Sequence, residues 1–110
     1  MDSRLLTGTV DTLILEIIGS APTYGYEIVQ TVQERSRGYF EITEGSLYPA
    51  LHRLERQKLL EAFWKEVDGR DRKYYKLTPA GRSALAAKKK EWLKFSAGVN
   101  GILGASRGLA

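Results

Sequence analysis

The stretch of this 110-residue chain that most restricts its fold is Glu61 to Thr78. Two runs rich in aromatic and branched residues, Glu61–Val67 and Lys73–Thr78, flank Asp68-Gly69-Arg70-Asp71-Arg72. Asp-Gly between two strand-like runs is a strong hairpin signal. The charges beside it point to a loop longer than two residues. Every other periodic segment is helical in spacing, so the expected class is mainly α with one small β-hairpin (α+β).

Leu6, Val10, Leu13, Ile14, Ile17 and Ile18 recur at the three-and-four spacing of a buried helix face, and Gly19 and Pro22 stop the run. A second helix starts near Thr23, whose hydroxyl can cap it. It turns Ile28, Val29 and Val32 inward and ends at Gly38. After the extended link Tyr39–Ile42, a third helix capped by Thr43 or Ser46 buries Leu47, Leu51 and Leu54. Proline lacks the amide that a helix interior needs, so Pro49 favours the start at Ser46. Thr78-Pro79 opens a fourth helix with a hydroxyl cap and proline in the first turn. Its positions Leu85, Lys88, Trp92, Phe95, Val99 and Ile102 alternate steps of three and four, the seam of a helix that pairs with another helix. Gly98, Gly101 and Gly104 weaken the end, which predicts ordered helix to about Ala97 and a flexible tail over 98–110.

Three helices, a hairpin and a long helix, with a short link between the second and third, is the order of a winged helix-turn-helix. Residues 1–78 form the winged region and 79–97 a C-terminal dimerisation helix. In such modules the third helix enters the DNA major groove and the hairpin tip reaches the neighbouring backbone. With Leu47, Leu51 and Leu54 inward, Gly45, Pro49, His52, Arg53 and Arg56 face out, with Ser46 and Tyr48 on the flanks. Small residues there permit close approach, and Tyr, His and Arg can hydrogen-bond to bases or phosphates. Arg and His also occur on merely solvated helix faces. At the hairpin, Arg70, Arg72 and Lys73 cluster where phosphate would neutralise them. A solvated turn, partly balanced by Asp68 and Asp71, accounts for the same residues.

The formal charge of +4 favours a polyanionic partner, and the absence of cysteine removes disulfides and thiolate chemistry. The start, Met1-Asp2-Ser3-Arg4, is unlike a signal peptide, and no apolar run approaches membrane-spanning length. A cytoplasmic protein without membrane association is expected. Glu41, Glu44 and His52 are spread over a loop and a helix, too dispersed for an acid-base or metal cluster. No enzyme activity, metal or cofactor is expected.

Gly45-Ser46-Leu47-Tyr48-Pro49-Ala50-Leu51-His52-Arg53-Leu54-Glu55, followed by Gly69-Arg70-Asp71-Arg72-Lys73-Tyr74-Tyr75-Lys76-Leu77-Thr78-Pro79-Ala80-Gly81-Arg82, resembles the PadR family of bacterial transcriptional regulators. Tyr24-Gly25-Tyr26-Glu27-Ile28 resembles that family's second-helix start. The likeness runs from Leu5 to Arg82. It implies a homodimeric repressor of double-stranded DNA, in which the last helix and the partner's helix 1 form the interface and each winged unit reads half of a near-palindromic operator. Leu6, Val10, Leu85, Trp92 and Phe95 are the interface candidates. The chain departs from the family at Lys58, where the turn after the third helix usually has glycine. It is similar to the short members that end after one C-terminal helix.

Some short members hold flat aromatic compounds between tryptophans at the dimer interface, which makes Trp92 a candidate for binding a planar aromatic effector. A tryptophan on a heptad seam is more often an interface anchor. The competing function is a winged helix that binds protein without reading DNA. Such a module would carry apolar residues where this one has Ser46, His52, Arg53 and Arg56.

Overall fold

The structure, a computed structural model, describes residues 3–104, with side chains from residue 8. Its elements run α1 (Ser3–Ser20), β1 (Thr23–Tyr24), α2 (Gly25–Arg35), α3 (Glu44–Arg56), β2 (Leu60–Val67), β3 (Arg70–Leu77) and α4 (Pro79–Leu103). The α+β winged-helix architecture is therefore as expected. The sheet has one more strand than the hairpin supplies, in the order β1-β3-β2. β1 pairs antiparallel with β3 at Thr23↔Tyr75 and Tyr24↔Tyr74, and its two residues are too few to carry a periodic signal.

That strand corrects the start of the second helix. Thr23 lies in β1 and donates its hydroxyl to the Glu27 carboxylate, while Tyr24 occupies the N-cap without a side-chain cap bond. α2 closes with Arg37 in the left-handed region at φ 55°, ahead of the expected Gly38. The Arg37 amide donates to the Glu34 carbonyl and the Gly38 amide to that of Gln33. α3 is capped by Thr43, not Ser46, with the Ser46 amide donating to Thr43 Oγ1 at 3.2 Å. Pro49 thus sits in the second turn, where it withholds one amide from the helix.

The hairpin loop is the two residues Asp68 and Gly69, because Val67 pairs with Arg70. Both have positive φ, 52° and 77°, as a type I′ turn requires. The charges that suggested a longer loop belong to β3. They are tolerated because β1 reaches only Tyr74 and Tyr75, so the outer half of the hairpin is a two-stranded ribbon wetted on both faces.

The core gathers Ile14, Leu15 and Ile18 of α1, Ile28 and Val32 of α2, and Leu47, Leu51 and Leu54 of α3. Leu60, Tyr75 and Leu77 close it from the sheet. Leu15 was not on the expected face of α1. It is fully buried because α1 packs against α2, β3 and α4 at once, so its buried surface is wider than a single stripe.

The end of α3 and the start of α4 are tied together. Lys58 takes φ 62°, its amide donates to the Glu55 carbonyl at 2.9 Å, and the Leu59 amide reaches the Leu54 carbonyl at 3.0 Å. This is a Schellman close with lysine in the position that favours glycine. Thr78 Oγ1 then donates to the Lys58 carbonyl at 2.7 Å and accepts the Gly81 amide at 2.9 Å. The Thr78 amide donates to the Leu59 carbonyl at 3.1 Å. A Cβ on Gly81 would lie 2.1 Å from that same carbonyl oxygen, so only glycine permits the approach.

α4 runs to Leu103, past the expected end at Ala97, and stops at Gly104 with φ 75°. Beyond its first turns it leaves the body. The longest dimension is 55 Å against 28 and 24 Å, and the radius of gyration of 15.7 Å exceeds the roughly 13 Å of a compact chain of this length.

Relieving left-handed φ at lysine is worth about 1–2 kcal/mol, and the added freedom of the unfolded glycine chain takes back about 0.4–1 kcal/mol. Lys58→Gly is therefore expected to raise stability to urea by about 0.5–1 kcal/mol. Gly81→Ala should lower it by at least about 1–3 kcal/mol, because backbone must move. If the alanine is tolerated without loss in urea melts, the tie between α3 and α4 is not a structural constraint.

Candidate nucleic-acid interface

α3 presents one apolar and one polar face because Leu47, Ala50, Leu51 and Leu54 follow the helical repeat into the core. Gly45, Ser46, Tyr48, Pro49, His52 and Arg56 are left exposed on the other side. Thr43 and Ser46 hold each other at the N-terminus: Ser46 Oγ donates to the Thr43 carbonyl at 3.1 Å and lies 3.3 Å from Thr43 Oγ1. Free amides and the helix dipole make such an end attractive to an anion.

Tyr48 is not loose on this surface. Its ring lies against the first residue of α2, where a Cβ on Gly25 would come within 2.6 Å of the phenol oxygen and 2.9 Å of Cζ. Gly25 thereby sets the position of Tyr48, a role the sequence did not reveal. Beneath it, Tyr75 is buried, and burial first, then Glu55 and Tyr48, raise its phenol above the ordinary value.

Arg53 stands apart from the other outward residues of α3. Its guanidinium meets Asp11 of α1 at 2.6 Å, and the Asp11 side chain is only 13% exposed. A carboxylate that deep is costly without its partner, so Arg53 is held as a tie between α1 and α3. No pattern in the sequence links positions 42 residues apart.

The hairpin divides its cations between two faces. Tyr75 and Leu77 point to the core, so Lys73 and Asp71 share that face of β3, with Trp64 opposite Lys73. Lys73 lies 3.9 Å from Glu55 of α3, and Trp64 is 69% exposed. Arg70 and Arg72 point the other way, on the side of Tyr24, Phe63 and Tyr74. The Arg72 guanidinium sits 4.7 Å over the Tyr24 ring, and its Nε is buried without a hydrogen-bond partner. The expected cluster of Arg70, Arg72 and Lys73 is therefore split by the strand's alternation.

The match to the family model for the transcriptional regulator PadR-like family extends over residues 14–87, most of the chain. The chain belongs to this family. It is accordingly a DNA-binding transcriptional regulator and not an enzyme. A protein of Lysinibacillus sphaericus is 40% identical over 91 residues, covering 82% of this chain and 84% of that one. A PadR-like transcriptional regulator of Bacillus cereus shares 35% identity at a TM-score of 0.81, with 91% of this chain and 96% of that chain covered. A PadR family transcription regulator of Clostridium difficile shares 38% identity at a TM-score of 0.74, covering 86% and 97%. No helix among the described residues is long and apolar enough to cross a membrane.

The expected interface residues of this PadR-like regulator divide in the same way as the wing. Val10 and Leu85 are partly buried against the core of their own chain. Trp92 and Phe95 are 55% and 56% exposed, with ring centroids 5.8 Å apart. The Leu6 side chain lies outside the described residues. Val99, Ile102 and Leu103 extend the exposed apolar face of α4 beyond Phe95.

If Arg53 acts through Asp11, exchanging the two charges restores what either single change removes. Arg53→Asp alone and Asp11→Arg alone should each weaken DNA binding across all sequences, and the double variant should recover most of it. A direct base contact by Arg53 would instead leave the double variant as defective as Arg53→Asp and change which base is preferred.

Proposed function

We propose that the protein acts in the cytoplasm as a homodimeric repressor, with each protomer reading half of a near-palindromic operator. The observation that carries this reading is the exposed end of α3, Gly45 to His52, standing beside a wing whose Arg70 and Arg72 have no carboxylate within 4.0 Å among the described residues. Gly45, Ser46 and Pro49 let the helix approach base edges closely, and Tyr48 and His52 supply hydrogen-bonding groups. Arg70 and Arg72 take phosphates, positioning the helix without reading sequence. A protein-binding module would need an apolar surface here, and α3 offers a polar one.

Dimerisation rests on α4. Trp92, Phe95, Val99, Ile102 and Leu103 fall within one broad side of the helix and are exposed in the single chain. Gly98 and Gly101 cost about 1 kcal/mol each relative to alanine in a helix interior, a penalty that packing against a second helix offsets. Val10 on α1 would meet the partner's α4, and two-fold symmetry of the protein would be mirrored in the operator. The Trp92 and Phe95 rings, side by side on that interface, would also accept a planar aromatic effector that releases the repressor.

Selection from a random duplex pool should enrich two inverted half-sites, and sedimentation should give twice the chain mass. Enrichment of nothing, or of a single half-site by a monomer, would sink the dimeric reading. On the selected operator, Arg70→Ala with Arg72→Ala should weaken binding to all sequences alike and flatten its salt dependence, whereas His52→Ala or Tyr48→Phe should shift the preferred bases.

For the effector, a panel of planar aromatic compounds should contain at least one that quenches tryptophan emission in the parent, much less in Trp92→Phe, and weakens operator binding at the same concentration. Quenching with unchanged DNA affinity would count against release by an effector.

A further inference from the structure

The outer face of the sheet carries more charge than the expected wing tip. Alternation along β3 puts Arg70, Arg72 and Lys76 on this face, and Lys65 of β2 stands directly opposite Arg72. Glu61, opposite Lys76, is the acidic residue on the same side. Among the described residues, Arg53, Lys73 and Lys89 each have a carboxylate within 4.0 Å, whereas Lys65, Arg70, Arg72 and Lys76 have none. Like charges directly opposite each other across two strands are unfavourable. That arrangement is relieved by an anion.

Three of these four cations, Lys65, Arg72 and Lys76, also lie against rings. Tyr24, Tyr74 and Phe63 form a continuous aromatic layer, with centroids 5.3 and 5.6 Å apart. Arg72 lies over Tyr24, Lys65 is 5.1 Å from the Tyr74 centroid, and Lys76 is 5.8 Å from that of Phe63. Cations fixed on rings have already given up much of the side-chain freedom that binding would otherwise take. The ring faces are occupied, so stacked bases of a single strand are excluded and the phosphate backbone is the fitting ligand.

We propose that this outer face is a second phosphate-binding surface and that its occupant is the backbone of duplex DNA beyond the segment read by α3. α3 packs on the opposite side of the sheet, so side chains of the outer face point away from its footprint and meet a neighbouring stretch. From Arg70 at the turn to Lys76 the stripe runs about 20 Å, at roughly 3.4 Å per residue, continuous with the wing tip. This assignment rests on the DNA-reading function proposed above and adds Lys65 and Lys76 to it.

The test uses the selected operator as two duplexes, one with about ten flanking base pairs on each side and one trimmed to the selected positions. Binding is measured over a salt series for the parent, Lys65→Gln/Lys76→Gln and Lys65→Arg/Lys76→Arg. On the flanked duplex the glutamine variant should bind more weakly, with its log-log salt slope reduced by roughly 0.9 for each phosphate that is no longer neutralised. The arginine variant should retain the parent's slope. On the trimmed duplex all three should coincide. An unchanged slope on the flanked duplex, or equal weakening on both duplexes, overturns the proposal while leaving DNA reading intact. A changed oligomeric mass of the glutamine variant in sedimentation would make the face a contact between copies, which also overturns it. Failure of the parent to bind either duplex would be the distinct result that removes the DNA-reading function and this surface with it.

Discussion

The contact on which the rest of the structure depends is the one between the turn after α3 and the first turn of α4. The Lys58 and Leu59 carbonyls, in the turn that follows α3, accept bonds from Thr78, which caps α4. Helix ends carry backbone groups that nothing inside the helix can satisfy. Here the turn at Lys58 closes α3, Thr78 caps α4, and the turn and the cap bond to each other. The hairpin β2-β3 is the loop between them, so its base is pinned on both sides and its tip is projected at a fixed angle to α3. Gly81 is required because the approach is closer than any side chain allows. Lysine at φ 62° is tolerated because its strain, about 1–2 kcal/mol, is offset by the bonds that this conformation allows from the Lys58 and Leu59 amides to the Glu55 and Leu54 carbonyls.

Charge pairing then separates structure from surface. Asp11 with Arg53, Glu16 with Lys89 and Glu55 with Lys73 each join two different elements, and each removes a cation from the pool available to an outside partner. A net basic balance alone offers no means of dividing these roles. What distinguishes them is where the strand and helix repeats direct each side chain. One residue along β3 turns Arg72, over an aromatic ring, into Lys73, beside a carboxylate.

Much of the fold was legible in the sequence. Leu47, Leu51 and Leu54 read as buried because α3 has one core face, and they are. Thr78-Pro79 read as a cap because the chemistry is local, and Thr78 does accept the Gly81 amide. The misreadings share a cause. Thr23 is drawn into a strand by pairing with Tyr75, and Asp71 and Arg72 are strand residues because Val67 and Arg70 close the turn. Pro49 lies inside α3 because Thr43 caps it from further upstream. In each case pairing with another strand, or a cap that competes with a local preference, decided the outcome. The same limit hid Asp11, Gly25, Lys65 and Lys76, whose roles exist only once α1, α2 and the sheet are assembled.

α1 joins the two ends of the molecule. Asp11 reaches α3 and Glu16 reaches Lys89 on α4, and between and beyond these two residues Ile14, Leu15 and Ile18 lock the helix into the core. A close-packed helix transmits displacement better than it absorbs it. The part of α4 that carries Trp92 and Phe95 is the part that leaves the body, just beyond the Lys89 bridge. Whatever covers that apolar length therefore bears on a helix whose other ion pair fixes Arg53 at the C-terminal half of α3. The surface expected to read DNA and the surface expected to meet a partner are joined by one rigid element.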